Sequence, residues 1–225
     1  MIPSMVVSVL AGSVLWLDRV FLFQLMLSRP IVISPVVGLI MGNVSVGLMV
    51  GAALELLWLN APPVGAYLPE DESFCAAAAT PAAVLVSAHL SDASAAGLAL
   101  LLGLPFAMVG RMLDTRLRTL NQHLLKDKPD EDPGIVIGRA LAKALARSFL
   151  YVLAALGLSV ALLGAAAILV AGVLPGAVQN ALAFMPLAAV ALGLAGLVTK
   201  DIPRPGQTGL FILGMILILM VSWIL

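Results

Sequence analysis

Apolar residues run through this chain in long blocks separated by short polar breaks, and the breaks are too few for a soluble globule. Ile2 to Leu17, Ala93 to Gly110, Phe149 to Val173, Val178 to Val198 and Leu210 to Leu225 each carry an almost unbroken apolar run, with Phe74 to His89 somewhat shorter. A helix needs about 20 apolar residues to cross the hydrocarbon core of a bilayer, or about 17 at the short end. The pattern predicts an all-α, polytopic helical membrane protein. The first run has no Lys or Arg before it and no convincing small-residue cleavage site, so it is expected to be a retained helix rather than a signal peptide. Asp18 to Arg29 is too short to cross and is expected to lie as a half-immersed interfacial helix.

The stretch from Pro30 to Pro69 is the least regular. It is either two full crossings or one re-entrant hairpin, and length alone leaves both open. Ser34, Gly38 and Gly42 recur every four residues, as do Gly47 and Gly51, a spacing that lets helices approach backbone to backbone. Asn60-Ala61-Pro62-Pro63 then breaks the helix. Carbonyls freed at such a break must be covered by protein or face a wet cavity, because lipid cannot satisfy them.

Composition sharpens this picture. The chain has 225 residues, of which 62% are hydrophobic and 11% charged, with a mean hydropathy of +1.12. The formal net charge is zero, so the informative quantity is where the charges fall. Eight of the twelve Lys and Arg residues lie between Arg111 and Arg147, which by the positive-inside rule places that segment in the cytoplasm. Counting crossings outward from it brings Arg19, Arg29, Lys200 and Arg204 to the same side, with the N-terminus and the tip at His89 to Ala93 outside. The chain then divides into residues 1–30, an outer-to-inner helix with its interfacial helix; 31–112, the hairpin and transport-site helices; 113–148, a cytoplasmic connector; and 149–225, the C-terminal transmembrane helices.

Within the apolar sequence a few groups stand out. Glu55 is a carboxylate inside an apolar run, and Glu70, Asp71 and Glu72 follow the proline break. A charge at bilayer depth costs about 2.5–3.5 kcal/mol even on a lenient scale, so an intramembrane ionisable group marks function by default. Ionisable groups beside broken helices are how transporters build binding sites. Glu55 and Asp71 are candidate acceptors for substrate hydroxyls, with bracing of freed backbone N–H groups as the alternative. Asn60 and Glu70 are further candidates, and Trp58 could stack on a ring or anchor at the interface. Arg139, Lys143 and Arg147 form a basic stripe at helical spacing, suited to lipid headgroups or to a docking protein.

Met26 to Val84 resembles the signature region of the enzyme IIC subunits of mannose/fructose/sorbose-type phosphotransferase systems. The residues that carry the likeness are Arg29-Pro30, Gly38, Gly42, Gly47, Gly51, Leu54-Glu55, Gly65, Pro69 and Asp71. Two positions depart from the family pattern: Glu70 separates Pro69 from Asp71, and Asn60 stands where a glycine is expected. The resemblance implies a subunit of the bacterial inner membrane that binds a hexose-like sugar and carries it inward. It implies a IID membrane partner, cytoplasmic IIA and IIB phosphocarriers and an oligomeric assembly, with phosphoryl chemistry done by the IIB protein and no cofactor here.

Other classes have little in their favour. The sequence holds no His-Glu-x-x-His, Gly-x-Ser-x-Gly or Walker loop. The one cysteine, Cys75, cannot pair internally, and His89 and His123 fall on opposite faces of the predicted topology, so no metal site or catalytic set is expected. Nothing suggests nucleic-acid binding. The remaining alternatives are a permease that works without phosphorylation and a sensor or assembly subunit of the same fold.

Overall fold

A computed structural model describes residues 2–22, 24–59, 68–124, 132–199 and, singly, 206, 208–209 and 212. The described residues form helices joined by turns, with no strand among them: α1 Ile2–Leu17, α2 Pro30–Met41, α3 Val44–Trp58, α4 Glu72–Val86, α5 Asp92–Gly103, α6 Phe106–Gln122, α7 Pro133–Ala171, α8 Gly176–Ala183 and α9 Met185–Thr199. The all-α membrane architecture is as the apolar blocks predict.

α2 and α3 make an antiparallel hairpin whose reversal is set by two residues. Gly42 takes φ +95°, a left-handed cap open to glycine, and Asn43 caps α3 by accepting the Val46 N–H at 3.2 Å. The glycine spacing does what the sequence suggests. A Cβ on Gly51 would lie 2.6 Å from the Pro30 carbonyl oxygen, and one on Gly47 would strike Ser34. α2 has 12 residues and α3 has 15, so they rise about 18 Å and 22 Å, short of a hydrocarbon core of about 30 Å. Residues 60–67, where the second half of the stretch from 30 to 69 would turn, lie outside the described residues.

α4 and α5 form a second hairpin, and the two tips meet. The Asn43 amide donates to Ser87 at 3.3 Å and to Asp92 at 3.1 Å. The Ser94 hydroxyl at the same end donates to the Gln179 carbonyl oxygen at 2.8 Å, so the start of α8 belongs to this tier. At the opposite end lie Arg19, Arg29 and Arg111 with their carboxylate partners. The molecule is therefore polarised, with hydroxyls and amides at one end and the described basic residues at the other. Between them is an alanine-rich interior built on α4, where Cys75 to Ala79 are almost wholly buried against α1, α5 and α7.

Several expectations are corrected. Residues 18–22 and 24–29 do not form an interfacial helix; they run as turns, bends and irregular chain. Asp18 accepts the N–H groups of Leu25 at 3.1 Å and Leu27 at 2.8 Å, and a carboxylate that captures backbone donors this way competes with the helix. Positive φ at Gln24 and Met26 completes the fold-back. The crossing expected over Ala93–Gly110 is two helices, α5 and α6, bent by 46°, because Pro105 has no N–H to continue the ladder. The crossing expected over Val178–Val198 is matched by a continuous span, Gly176–Leu197, with one turn residue at Phe184 between α8 and α9. The helix through Phe149–Val173 begins sixteen residues earlier, at Pro133, with Asp132 as its cap accepting the Gly134 N–H at 2.7 Å; proline in the first turn starts a helix rather than breaking one. Much of the connector over 113–148 is thus helical. Asn60, the Pro62-Pro63 break, Lys126, Lys128, Lys200, Arg204 and nearly all of the crossing expected over 210–225 lie outside the described residues.

Candidate functional site

At the basic end, a cavity of about 690 Å³ opens between the turns that follow α1, the foot of the α2–α3 hairpin and the start of α4. Its charged lining comprises Asp18, Arg19, Arg29, Glu55 and Glu72, and Trp58 lines it as well. Five charged side chains thus face one cavity.

Glu55 sits one turn before the end of α3 and Arg29 immediately before Pro30 at the start of α2, so the antiparallel hairpin brings them together. Glu55 Oε1 accepts from Arg29 Nε at 2.8 Å and also from Nη2. Its other oxygen lies 3.4 Å from the Ile31 amide nitrogen, over the first turn of α2. Arg29 reaches a second carboxylate, Glu72, at 3.9 Å. The guanidinium thereby links the foot of α3 to the first residue of α4, across the mouth of the cavity. The side chains of Arg29 and Glu55 remain 38% and 15% exposed, so both can still meet a solute.

Asp71 is placed differently. It is fully buried, behind the cavity rather than on its wall. Its Oδ2 accepts the Trp16 indole N–H at 2.7 Å, and its Oδ1 accepts the Phe74 N–H at 2.9 Å and lies 2.9 Å from Arg19 Nη1. The Asp71 N–H donates to the Ala107 carbonyl oxygen at 3.0 Å, and α6 closes over it at Gly110, where a Cβ would lie 2.6 Å from that of Asp71. One residue thus caps α4, holds the end of α1 and seats α6. Glu70 faces Arg111 at 3.6 Å and does not line the cavity. Asn60 lies outside the described residues.

Of the three described candidate residues, Glu55 is the one that lines the cavity. Arg19, Arg29, Asp18 and Glu72 join it there. Arg29 and Glu72 were legible only as parts of the Arg-Pro pair and the acidic cluster; Asp18 and Arg19 gave no signal beyond their charge. Chemically the set offers carboxylate acceptors, guanidinium donors and one aromatic face, which suits a small polyhydroxylated molecule. Among the described residues no group of three or more His, Cys, Asp or Glu is placed to hold a metal ion.

Short helical hairpins, a bent helix pair and a charged cavity at one end of an apolar bundle are the features of a helical membrane protein. Residues 2–224 match the family described as the phosphotransferase system sorbose-specific IIC component. The chain belongs to that family and is a multi-pass membrane protein, in keeping with a bacterial inner membrane. A protein of Escherichia coli (strain K12) whose name describes an N-acetylgalactosamine permease IIC component is 37% identical over 43 residues, which is 19% of this chain and 32% of that protein. The match therefore spans about a third of that relative's length. Two solved structures share the fold. One, described as a membrane protein, has a TM-score of 0.64 at 19% identity and covers 99% of this chain and 96% of its own. The other is a mannose transporter ManYZ complex with microcin E492, with a TM-score of 0.58 at 21% identity, covering 96% of this chain and 86% of the neighbour.

Proposed function

We propose that this chain is the sugar-binding and translocating IIC component of a phosphoenolpyruvate-dependent phosphotransferase system, passing a hexose-like sugar inward for phosphorylation by a IIB partner. The observation that carries the proposal is the cavity walled by Glu55, Arg29 and Glu72. Its volume of about 690 Å³ falls within the roughly 300–1,000 Å³ of small-molecule sites, so a monosaccharide with its waters fits. It opens at the end where the basic residues gather, which the positive-inside rule assigns to the cytoplasm. A sugar released from it would emerge on the side where a phosphoryl donor works. The names of the relatives, a mannose transporter and an N-acetylgalactosamine permease component, speak for a hexose or hexosamine.

In this reading Glu55 accepts hydrogen bonds from vicinal hydroxyls while Arg29, shared between Glu55 and Glu72, turns a donor toward a ring or hydroxyl oxygen. Trp58 offers an apolar face to the C–H side of the ring. The chain itself transfers no phosphoryl group; that belongs to the IIA and IIB proteins, and a IID subunit completes the membrane unit. Membrane vesicles carrying this chain with its IID partner, supplied with phosphorylated IIB, should release sugar phosphate when a hexose is present outside. Vesicles with this chain alone should not. Sugar uptake without phosphorylation in the same vesicles would contradict the proposal and favour a simple permease.

A further inference from the structure

We infer that the groove between α6 and α7 is a binding site for one anionic phospholipid of the inner leaflet, with an acyl chain lying in the groove and the phosphate held at its cytoplasmic end. α6 leaves α5 at 46° and is joined to α7 near its own end. There the Asn121 amide donates to Ser148 at 3.3 Å and Arg147 donates to the Leu120 carbonyl oxygen at 2.8 Å. Above that junction the two helices leave a groove of about 490 Å³, lined by Leu113 of α6 and by Leu150, Tyr151, Ala154, Ala155 and Leu158 of α7. Leu150 and Leu158 are 62% and 63% exposed and stand about 12 Å apart along the helix. That length fits within one leaflet's half of the hydrocarbon core, about 15 Å. Tyr151, at the lower end of the groove, is half-exposed, as suits an aromatic ring at the membrane–water interface.

Positive charge lies on the same side of both helices as the groove. On α7, Lys143, Arg147, Tyr151, Ala154 and Leu158 recur at intervals of three and four residues, which sets them in one stripe. On α6, Arg116 follows Leu113 by three residues and precedes Leu120 by four, so it stands one turn below the groove wall. Arg147 is held in place by its bond to Leu120; the two charges offered to a phosphate are the exposed Arg116 and Lys143. Helical side chains lean toward the N-terminus of their helix. Arg116, on the descending α6, therefore leans up toward the groove, and Lys143, on the ascending α7, leans down toward the headgroups. α7 contains no Asp or Glu, and Asp114 of α6 is buried and paired with Arg118. No carboxylate of these two helices thus offsets the pair.

An apolar slot above and two cations below match a phospholipid in both chemistry and direction. Basic pockets between membrane helices on the cytoplasmic side take anionic headgroups, and an arginine binds phosphate oxygens through paired N–H donors. A free phosphate would use the cations and leave the groove empty. A neutral lipid would fill the groove and leave the cations without a net negative partner. The bound lipid would bridge α6 to α7 and so steady the helix that closes over Asp71 at Gly110. The site is separate from the charged cavity and does not depend on the function proposed above.

The test titrates the purified, delipidated protein in neutral detergent with phosphatidylglycerol or phosphatidylethanolamine and counts bound lipid by native mass spectrometry. The parent should retain one phosphatidylglycerol at least fivefold more strongly than phosphatidylethanolamine, and its melting temperature should rise with the anionic lipid. Arg116→Gln with Lys143→Gln should abolish the preference. Ala154→Phe, a bulkier side chain at an exposed position of the groove wall, should weaken retention of phosphatidylglycerol at least fivefold with the charges intact. Melting curves of the variants in detergent alone should match the parent's, which separates a lost site from a lost fold. Equal retention of the two lipids by the parent, or retention by either variant within twofold of the parent, would overturn the inference. Displacement of the lipid by excess inorganic phosphate would overturn it as well, by showing an anion site that has no need of the groove.

Discussion

The indole N–H of Trp16 donates to Oδ2 of Asp71 at 2.7 Å across 55 residues of sequence. This bond ties the end of α1 to the first turn of α4, and Arg19 beside it supplies the compensating charge. A buried carboxylate so completely engaged braces the charged end.

Asp71→Asn should therefore destabilise the protein. Asparagine has one acceptor oxygen where the carboxylate has two, and Arg19 loses its ionic partner, a change of about 3–5 kcal/mol for a broken buried pair. Trp16→Phe should cost less, about 1.5–3 kcal/mol, since one donor is lost and the ion pair stays. Thermal unfolding of the purified protein checks both, and the sugar affinity of the molecules that remain folded should be unchanged.

Two glycines should respond in opposite directions. At Gly51 a methyl group would lie 2.6 Å from the backbone oxygen of Pro30, which cannot retreat without opening the α2–α3 hairpin. Gly51→Ala should lose about 1–3 kcal/mol. At Gly138 a Cβ meets nothing within 4 Å, and the residue is interior to α7. Gly138→Ala should gain up to about 1 kcal/mol through helix propensity. Melting temperatures of the two variants against the parent read out the contrast.

The polarity of the bundle is open to direct labelling. Cys75 is fully buried, with its thiol 3.3 Å from the Gly103 carbonyl oxygen, so it should stay silent toward an impermeant maleimide. His89→Cys, at the exposed tip of the α4–α5 hairpin, should label on intact cells. Lys143→Cys should label only after the cells are opened. Labelling of both on intact cells would contradict the assignment of sides.

What the sequence made legible followed from strong local rules. The glycine ladder at Gly47 and Gly51 could be read because only small residues allow that backbone approach, and the gathering of basic residues because charge is sorted across a bilayer. The Arg29–Glu55 pair was half visible: both residues belong to the recognised motif, but their meeting depends on where Gly42 and Asn43 reverse the chain. The partners of Asp71 were not legible, because a conspicuous carboxylate looks alike in sequence whether it faces a ligand or Trp16. The fold-back over residues 18–29 was hidden, since the donors that Asp18 captures are backbone groups seven and nine residues on. The reach of α7 was hidden too, because Arg and Lys read as the end of a membrane span while being good helix formers.

Glu55 carries the central claim, and Glu55→Gln is its sharpest probe. The Arg29–Glu55 pair is partly exposed, so losing its charge should change stability by no more than about 1 kcal/mol. A sugar bound through the carboxylate would lose a charged acceptor, and a loss of about 1.5–3 kcal/mol corresponds to roughly ten- to hundredfold in affinity. Calorimetric titration of the purified complex with its transported hexose, run beside a melting curve, measures both quantities on one sample. The account predicts a Kd raised at least tenfold with little change in melting temperature. An unchanged Kd with a lowered melting temperature would show that Glu55 only braces the fold.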